Sequence, residues 1–137
     1  MYPPELVAPM REDLTHVGFT ELTSSEAVDA ALSETGTALV VLNSVCGCAA
    51  GSMRPAVKLA VQHSTVPAHL FTAFAGVDRD AVDRVRQYML PYPPSSPSIG
   101  LFKDGKLVSM VERHHIEGRT AEMIAEHLKL AFDEFCN

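Results

Sequence analysis

Thr37-Ala38-Leu39-Val40-Val41-Leu42-Asn43-Ser44-Val45-Cys46-Gly47-Cys48 is the stretch that decides the fold of this chain. Its apolar centre is unbroken, as in a strand buried on both faces of a sheet. Two thiols follow one residue apart, and Ala49 to His63 then has helical composition, with Pro55 marking a kink or a late restart. The stretch therefore reads as strand, turn and helix, with Cys46 and Cys48 at the turn.

Toward the N-terminus, Pro3 and Pro4 suit a helix start, and Leu6, Val7, Met10 and Leu14 recur at helical spacing until Gly18. Thr23-Ser24-Ser25-Glu26 reads as a capping box, Thr23 with Glu26, before a second helix that runs to about Thr35 and stops at Gly36. Toward the C-terminus, Ala68 to Ala75 reads as a strand with Leu70, Phe71 and Phe74 as core residues. Asp78 or Asp80 caps a helix carrying Val82, Val85 and Met89.

Leu90 to Pro97 holds four prolines and is irregular. Ser98 to Lys103 and Lys106 to Glu112 form a hairpin about Asp104-Gly105. A last helix over Thr120 to Phe135 carries an apolar stripe of Met123, Ile124, Leu128, Ala131, Phe132 and Phe135. The expected class is α/β: a central mixed sheet flanked by helices, with an N-terminal helical extension, in one domain spanning 1–137.

A chain of 137 residues, 47% hydrophobic and 20% charged, buries a core without disulfide staples. A net charge of −6 with scattered Lys and Arg argues against nucleic acid as a partner. No apolar run reaches the ~20 residues that span a bilayer. The opening residues lack the basic and apolar regions of a signal peptide, so the expected location is the cytoplasm, with no membrane partner. Nothing in composition or charge specifies an oligomeric state.

In a reducing compartment, cysteines serve catalysis or metal binding more often than structure. At the start of a helix, unpaired N–H groups and the helix dipole favour the Cys46 thiolate, the form that attacks a disulfide. Gly47 permits a tight backbone and leaves that sulfur uncrowded. Cys48, just inside the helix, is the natural resolving thiol. A disulfide closed over one intervening residue is strained and easily reduced, which suits mixed-disulfide exchange, disulfide rearrangement or oxidation of another thiol. Inert packing is the bland alternative. A metal carrier is another: the pair supplies two of the four ligands zinc normally takes, although copper(I) accepts two soft ones.

Ser96-Pro97 opens the strand after the proline-rich loop. A cis bond there would turn the backbone and offer the N–H and C=O of Ser96 to an extended partner; an ordinary trans proline starting a strand is the alternative. Arg54, early in the helix after the cysteines, could stabilise a thiolate or an anionic thiol ligand, or form an exposed salt bridge. His114 and His115 are expected at the end of the last strand, pointing to opposite sides and so poorly placed to share a metal. Tyr92, in the proline-rich loop, could line the pocket, but an ordinary loop role is the favoured reading. Cys136 is either a dispensable terminal thiol or an extra resolving or dimer-forming one that pairs with Cys46.

Ser96-Pro97-Ser98-Ile99-Gly100-Leu101-Phe102-Lys103-Asp104-Gly105-Lys106 is similar to the thioredoxin segment from the cis-proline through the following strand and turn. Within that superfamily, Asn43-Ser44-Val45-Cys46-Gly47-Cys48-Ala49-Ala50-Gly51 with Arg54-Pro55-Ala56 resembles the bacilliredoxins, also described as disulfide isomerases. Met1-Tyr2-Pro3 and Glu112-Arg113-His114-His115-Ile116-Glu117-Gly118-Arg119 extend the resemblance over nearly the whole chain. It implies a thioredoxin-like fold, no bound cofactor or metal, and a redox-active centre exchanging disulfide bonds. The implied partners are S-thiolated or disulfide-containing proteins, and bacillithiol or a similar low-molecular-weight thiol. Cys46 would take the small thiol, Cys48 would resolve or modulate, and Pro97 would be the cis-proline. Val45 stands where ordinary thioredoxins carry Trp, and the chain has no Trp.

Overall fold

The computed structural model describes residues 2–137; Met1, part of the quoted opening, lies outside them. The decisive strand is β2 (Thr37–Asn43), buried at every position. Burial is complete because both faces are covered. Leu39 and Val41 pack into one apolar cluster, and Ala38, Val40 and Leu42 into another on the opposite face, the alternation a pleated strand imposes. A truncation such as Leu39→Ala would cost about 2–5 kcal/mol.

Parallel to β2 runs β3 (His69–Phe74), which pairs in turn with the short β1 (Thr20–Glu21). On its other side β2 pairs antiparallel with β4 (Ser98–Lys103), and β4 with β5 (Lys106–Val111). The sheet is thus mixed, with five strands in the order β1-β3-β2-β4-β5. Asp104 and Gly105 both take positive φ, 52° and 80°, the primed geometry that a two-residue hairpin requires.

One face of the sheet carries α1 (Pro4–Thr15), α3 (Arg54–Ala60) and α6 (Ala121–Phe135); the other carries α2 (Ser25–Leu32) and α4 (Arg79–Tyr88). Several sequence expectations are corrected at this level. The cap of α2 is Ser24, whose hydroxyl accepts from the Ala27 N–H, and Glu26 accepts from the Ser25 hydroxyl instead of closing a box with Thr23. The helix ends at Leu32 instead of Thr35. Leu6 and Met123 lie on the solvent side of α1 and α6. Asp78 precedes α4, but its carboxylate accepts from the Phe74 N–H and from Arg11 instead of capping the helix.

Past the cysteines the helix is not uniform. Ala49–Met53 forms a π-turn, in which the Arg54 N–H reaches back to the Ala49 carbonyl, and α3 then stops at Ala60, short of His63. Pro55 explains the irregularity: its nitrogen has no hydrogen to give and its ring crowds the carbonyl four residues back, so the preceding turn widens. The second strand of the hairpin also ends early. After Val111 the chain enters α5 (Arg113–Ile116), a single turn closed by a reciprocal cap between Glu112 and His115.

Candidate active site

The end of β2 sets the thiols in place through Asn43, which is buried. Its amide nitrogen donates to the Met10 carbonyl at 3.0 Å, and its Oδ1 accepts from the Ser44 N–H at 2.8 Å. The Ser44 hydroxyl in turn accepts from the Cys46 N–H at 3.1 Å. The Ala49 and Ala50 N–H groups both reach back to the Cys46 carbonyl, which starts the helix at the first cysteine.

Cys46 and Cys48 are free thiols with their sulfurs 2.8 Å apart. A thiol hydrogen bond from Cys48, reinforced by the N–H groups of Cys48 and Ala49 and by the charge of Arg113, holds the Cys46 pKa below the ordinary thiol value. Burial pushes Cys48 the other way, and the negative Cys46 sulfur beside it adds to the effect. Cys48 packs against the apolar cluster under α3 and α6. The arrangement sets a thiol of lowered pKa beside one of raised pKa, so the Cys46 sulfur ionises the more readily of the two.

Ser96-Pro97 is a cis peptide bond, as is Leu90-Pro91. Pro97 is buried, and Ser98 pairs with Leu42 in the sheet, which brings the proline to the same end of β2 as the cysteines. Gly47 is exposed, its φ lies outside the left-handed region, and an added Cβ would meet nothing within 4 Å. The backbone therefore does not require glycine there; what Gly47 leaves is open space beside the sulfur. Tyr92 lies exposed in the proline-rich loop.

Arg54 turns away from the sulfurs. It is buried, donating from Nη1 to Asn43 Oδ1 at 3.0 Å and to the Ser44 carbonyl at 2.8 Å, with Asp13 3.5 Å from its Nε. It braces the loop instead of charging the site. The cation that reaches the thiols is Arg113, to which the sequence reading gave no role. Its Nη2 lies 3.1 Å from Cys46 Sγ, Nη1 donates to the Ser96 carbonyl at 3.1 Å, and Nε pairs with Glu117 at 2.8 Å. Sixty-seven residues separate it from Cys46, so no local pattern could connect them; its only sequence signal is its place in the Glu112–Arg119 segment.

His114 and His115 sit in α5 instead of a strand, with ring centroids 4.0 Å apart. Together with Glu112 they bring three ligand atoms within 4.8 Å, contrary to the strand-based expectation. His115 Nδ1 already accepts the Glu112 N–H, and burial lowers its pKa. Among the described residues, no third thiol, imidazole or carboxylate joins Cys46 and Cys48 at ligand distance. Cys136 is near Thr37 and Lys103, at the far end of the seven-residue β2 from Cys46. That span is about 20 Å, which rules out the Cys46–Cys136 pairing within one chain.

The model of the family described as Disulphide isomerase matches residues 2–136. The chain belongs to this family. Proteins similar to it include a bacilliredoxin of Cytophaga hutchinsonii, 62% identical over 98% of this chain and 99% of the relative. Another, from Bacillus cereus strain ZK, is 50% identical over 96% of this chain and 92% of the relative. Mitochondrial thioredoxin 3 from Saccharomyces cerevisiae superposes with a TM-score of 0.58 at 15% identity, over 88% of this chain and 99% of that one. A Halobacterium salinarum thioredoxin mutant gives 0.61 at 15% identity, over 88% and 93%. The fold is thioredoxin-like, with an N-terminal helix ahead of the sheet, and this disulphide isomerase family member is a thiol-disulfide oxidoreductase. Among the described residues, no helix is long and apolar enough to cross a membrane.

Proposed function

We propose that this chain removes bacillithiol, or a chemically similar low-molecular-weight thiol, from protein mixed disulfides in the cytoplasm. The Cys46 thiolate attacks the small-thiol sulfur. A disulfide forms between Cys46 and the small thiol, the original disulfide breaks, and the protein sulfur leaves as a thiolate that takes a proton from water. Cys48 then displaces the small thiol, leaving a Cys46–Cys48 disulfide that an external thiol or dithiol reductant reopens. The observation that carries this reading is the opposed pair of sulfurs 2.8 Å apart, the pKa of Cys46 lowered and that of Cys48 raised. The bacilliredoxin name of the relatives supports the choice of small thiol.

The test uses a model protein carrying bacillithiol, incubated with wild type, Cys46→Ala and Cys48→Ala while the mixed disulfide is followed by mass. Transfer should vanish in Cys46→Ala and survive its first step in Cys48→Ala. Unchanged transfer by Cys46→Ala would sink the proposal. Disulfide isomerisation is a second reading, favoured by the description of the matching family model; recovery of activity from a scrambled disulfide protein would measure it.

A further inference from the structure

We propose that Arg113 is the specificity residue of the exchange site, taking a carboxylate of the low-molecular-weight thiol once that thiol is joined to Cys46. The inference rests on the exchange reading above and adds to it the chemical class of the small thiol.

The guanidinium makes three contacts: Nη2 to Cys46 Sγ, Nη1 to the Ser96 carbonyl and Nε to Glu117. It has five N–H donors, and its side chain is 42% exposed, so part of the group faces the space from which a substrate arrives. The contact with Cys46 is strongest while the sulfur is charged. When Cys46 attacks, the negative charge leaves with the displaced protein sulfur, and the sulfur beside Nη2 becomes one half of a neutral disulfide. Nη2 then lies next to the small thiol with only a weak, neutral sulfur as acceptor.

Glu117 does not fill the gap. It pairs through Nε, and as an i,i+4 partner exposed to solvent it holds the guanidinium only weakly. The Ser96 carbonyl keeps Nη1 in place, so the fork stays beside the disulfide. A carboxylate of the small thiol brought to that fork meets the geometry arginine binds best. Arg113 is also the cation that acts on both sulfurs, since Arg54 is turned into the interior.

The test isolates the carboxylate from size and shape. A single-cysteine carrier protein is loaded with 3-mercaptopropionate or with 3-mercaptopropionamide, and release of each is timed with wild type, Arg113→Gln and Arg113→Lys. Both substrates meet the same Cys46, so any change in its nucleophilicity divides out of the ratio of the two rates. Wild type is expected to favour the carboxylate by about five- to tenfold over the ratio shown by dithiothreitol alone, as one partly screened charge-assisted contact gives. Arg113→Gln should fall to the dithiothreitol ratio, and Arg113→Lys, with the charge but not the fork, should lie between. Equal ratios for wild type and Arg113→Gln, with transfer intact, would overturn the proposal alone. No release of either thiol by wild type would overturn the exchange reading and this inference with it.

Discussion

The Cys46 and Cys48 sulfurs lie 2.8 Å apart, and each drives the other's proton affinity in the opposite direction. The hydrogen bond from Cys48 outweighs the charge of Arg113 among the causes that lower the Cys46 pKa. Titrating the reduced protein by thiolate ultraviolet absorbance should therefore give a Cys46 step below the ordinary thiol range. Cys48→Ala should move it upward further than Arg113→Gln does. Because the thiolate fraction rises with pH through that step, single-turnover exchange should climb and level off at lower pH in wild type than in Cys48→Ala. A larger shift in Arg113→Gln would reverse this ranking.

Arg54 is predicted to act through the loop and not through charge at the sulfur. Arg54→Met removes two hydrogen bonds and leaves the buried Ser44 carbonyl without that donor. Urea denaturation should show a loss of about 2–4 kcal/mol. A loss under about 0.5 kcal/mol, the range of an ordinary surface change, would count against the bracing role.

Two glycines should behave oppositely. Gly47→Ala meets open space and an ordinary φ, so thermal stability should hold or rise by up to about 1 kcal/mol. Gly105→Ala combines a φ of 80° with a Cβ 2.6 Å from the Leu32 carbonyl oxygen, and should destabilise by about 1–3 kcal/mol or more. Equal melting temperatures for the two variants would contradict this account.

Cys136 should not take part in the exchange cycle. Under mild oxidation, peptide mapping should find Cys46 linked to Cys48 or to a small thiol, and no intramolecular link to Cys136. Cys136→Ser should exchange at the wild-type rate. A Cys46–Cys136 peptide from monomeric protein would require the terminal segment to cross the length of β2.

Much of the fold was legible because it is local. β2 announced itself by an unbroken apolar run, the hairpin by Asp104-Gly105, and the stripe of α6 by Ile124, Leu128 and Phe132. The cysteines were legible for the same reason, since the turn that holds them adjoins the strand. The parts that escaped depend on what the chain meets in space. Thr23 and Ser24 are chemically near-equivalent caps, and the entry angle of α2 chooses between them. His114 and His115 changed setting because the Glu112 cap closes a helical turn where strand was expected. Arg54 turns inward and Arg113 reaches the sulfur because contact across the fold, unlike proximity along the chain, leaves no local pattern.

Asn43 gives α1 a consequence for the thiols that its position ahead of the sheet conceals. The Met10 carbonyl holds the Asn43 amide, and Asp13 stands against the buried Arg54, so two residues of α1 anchor both supports of the cysteine loop. The helix is mechanical leverage on a redox group held by other elements. Shortening the chain to the start of β1 would remove both anchors at once. The alkylation rate of Cys46 in such a truncated protein should then depart from wild type even where the sheet remains folded, making α1 a determinant of redox behaviour.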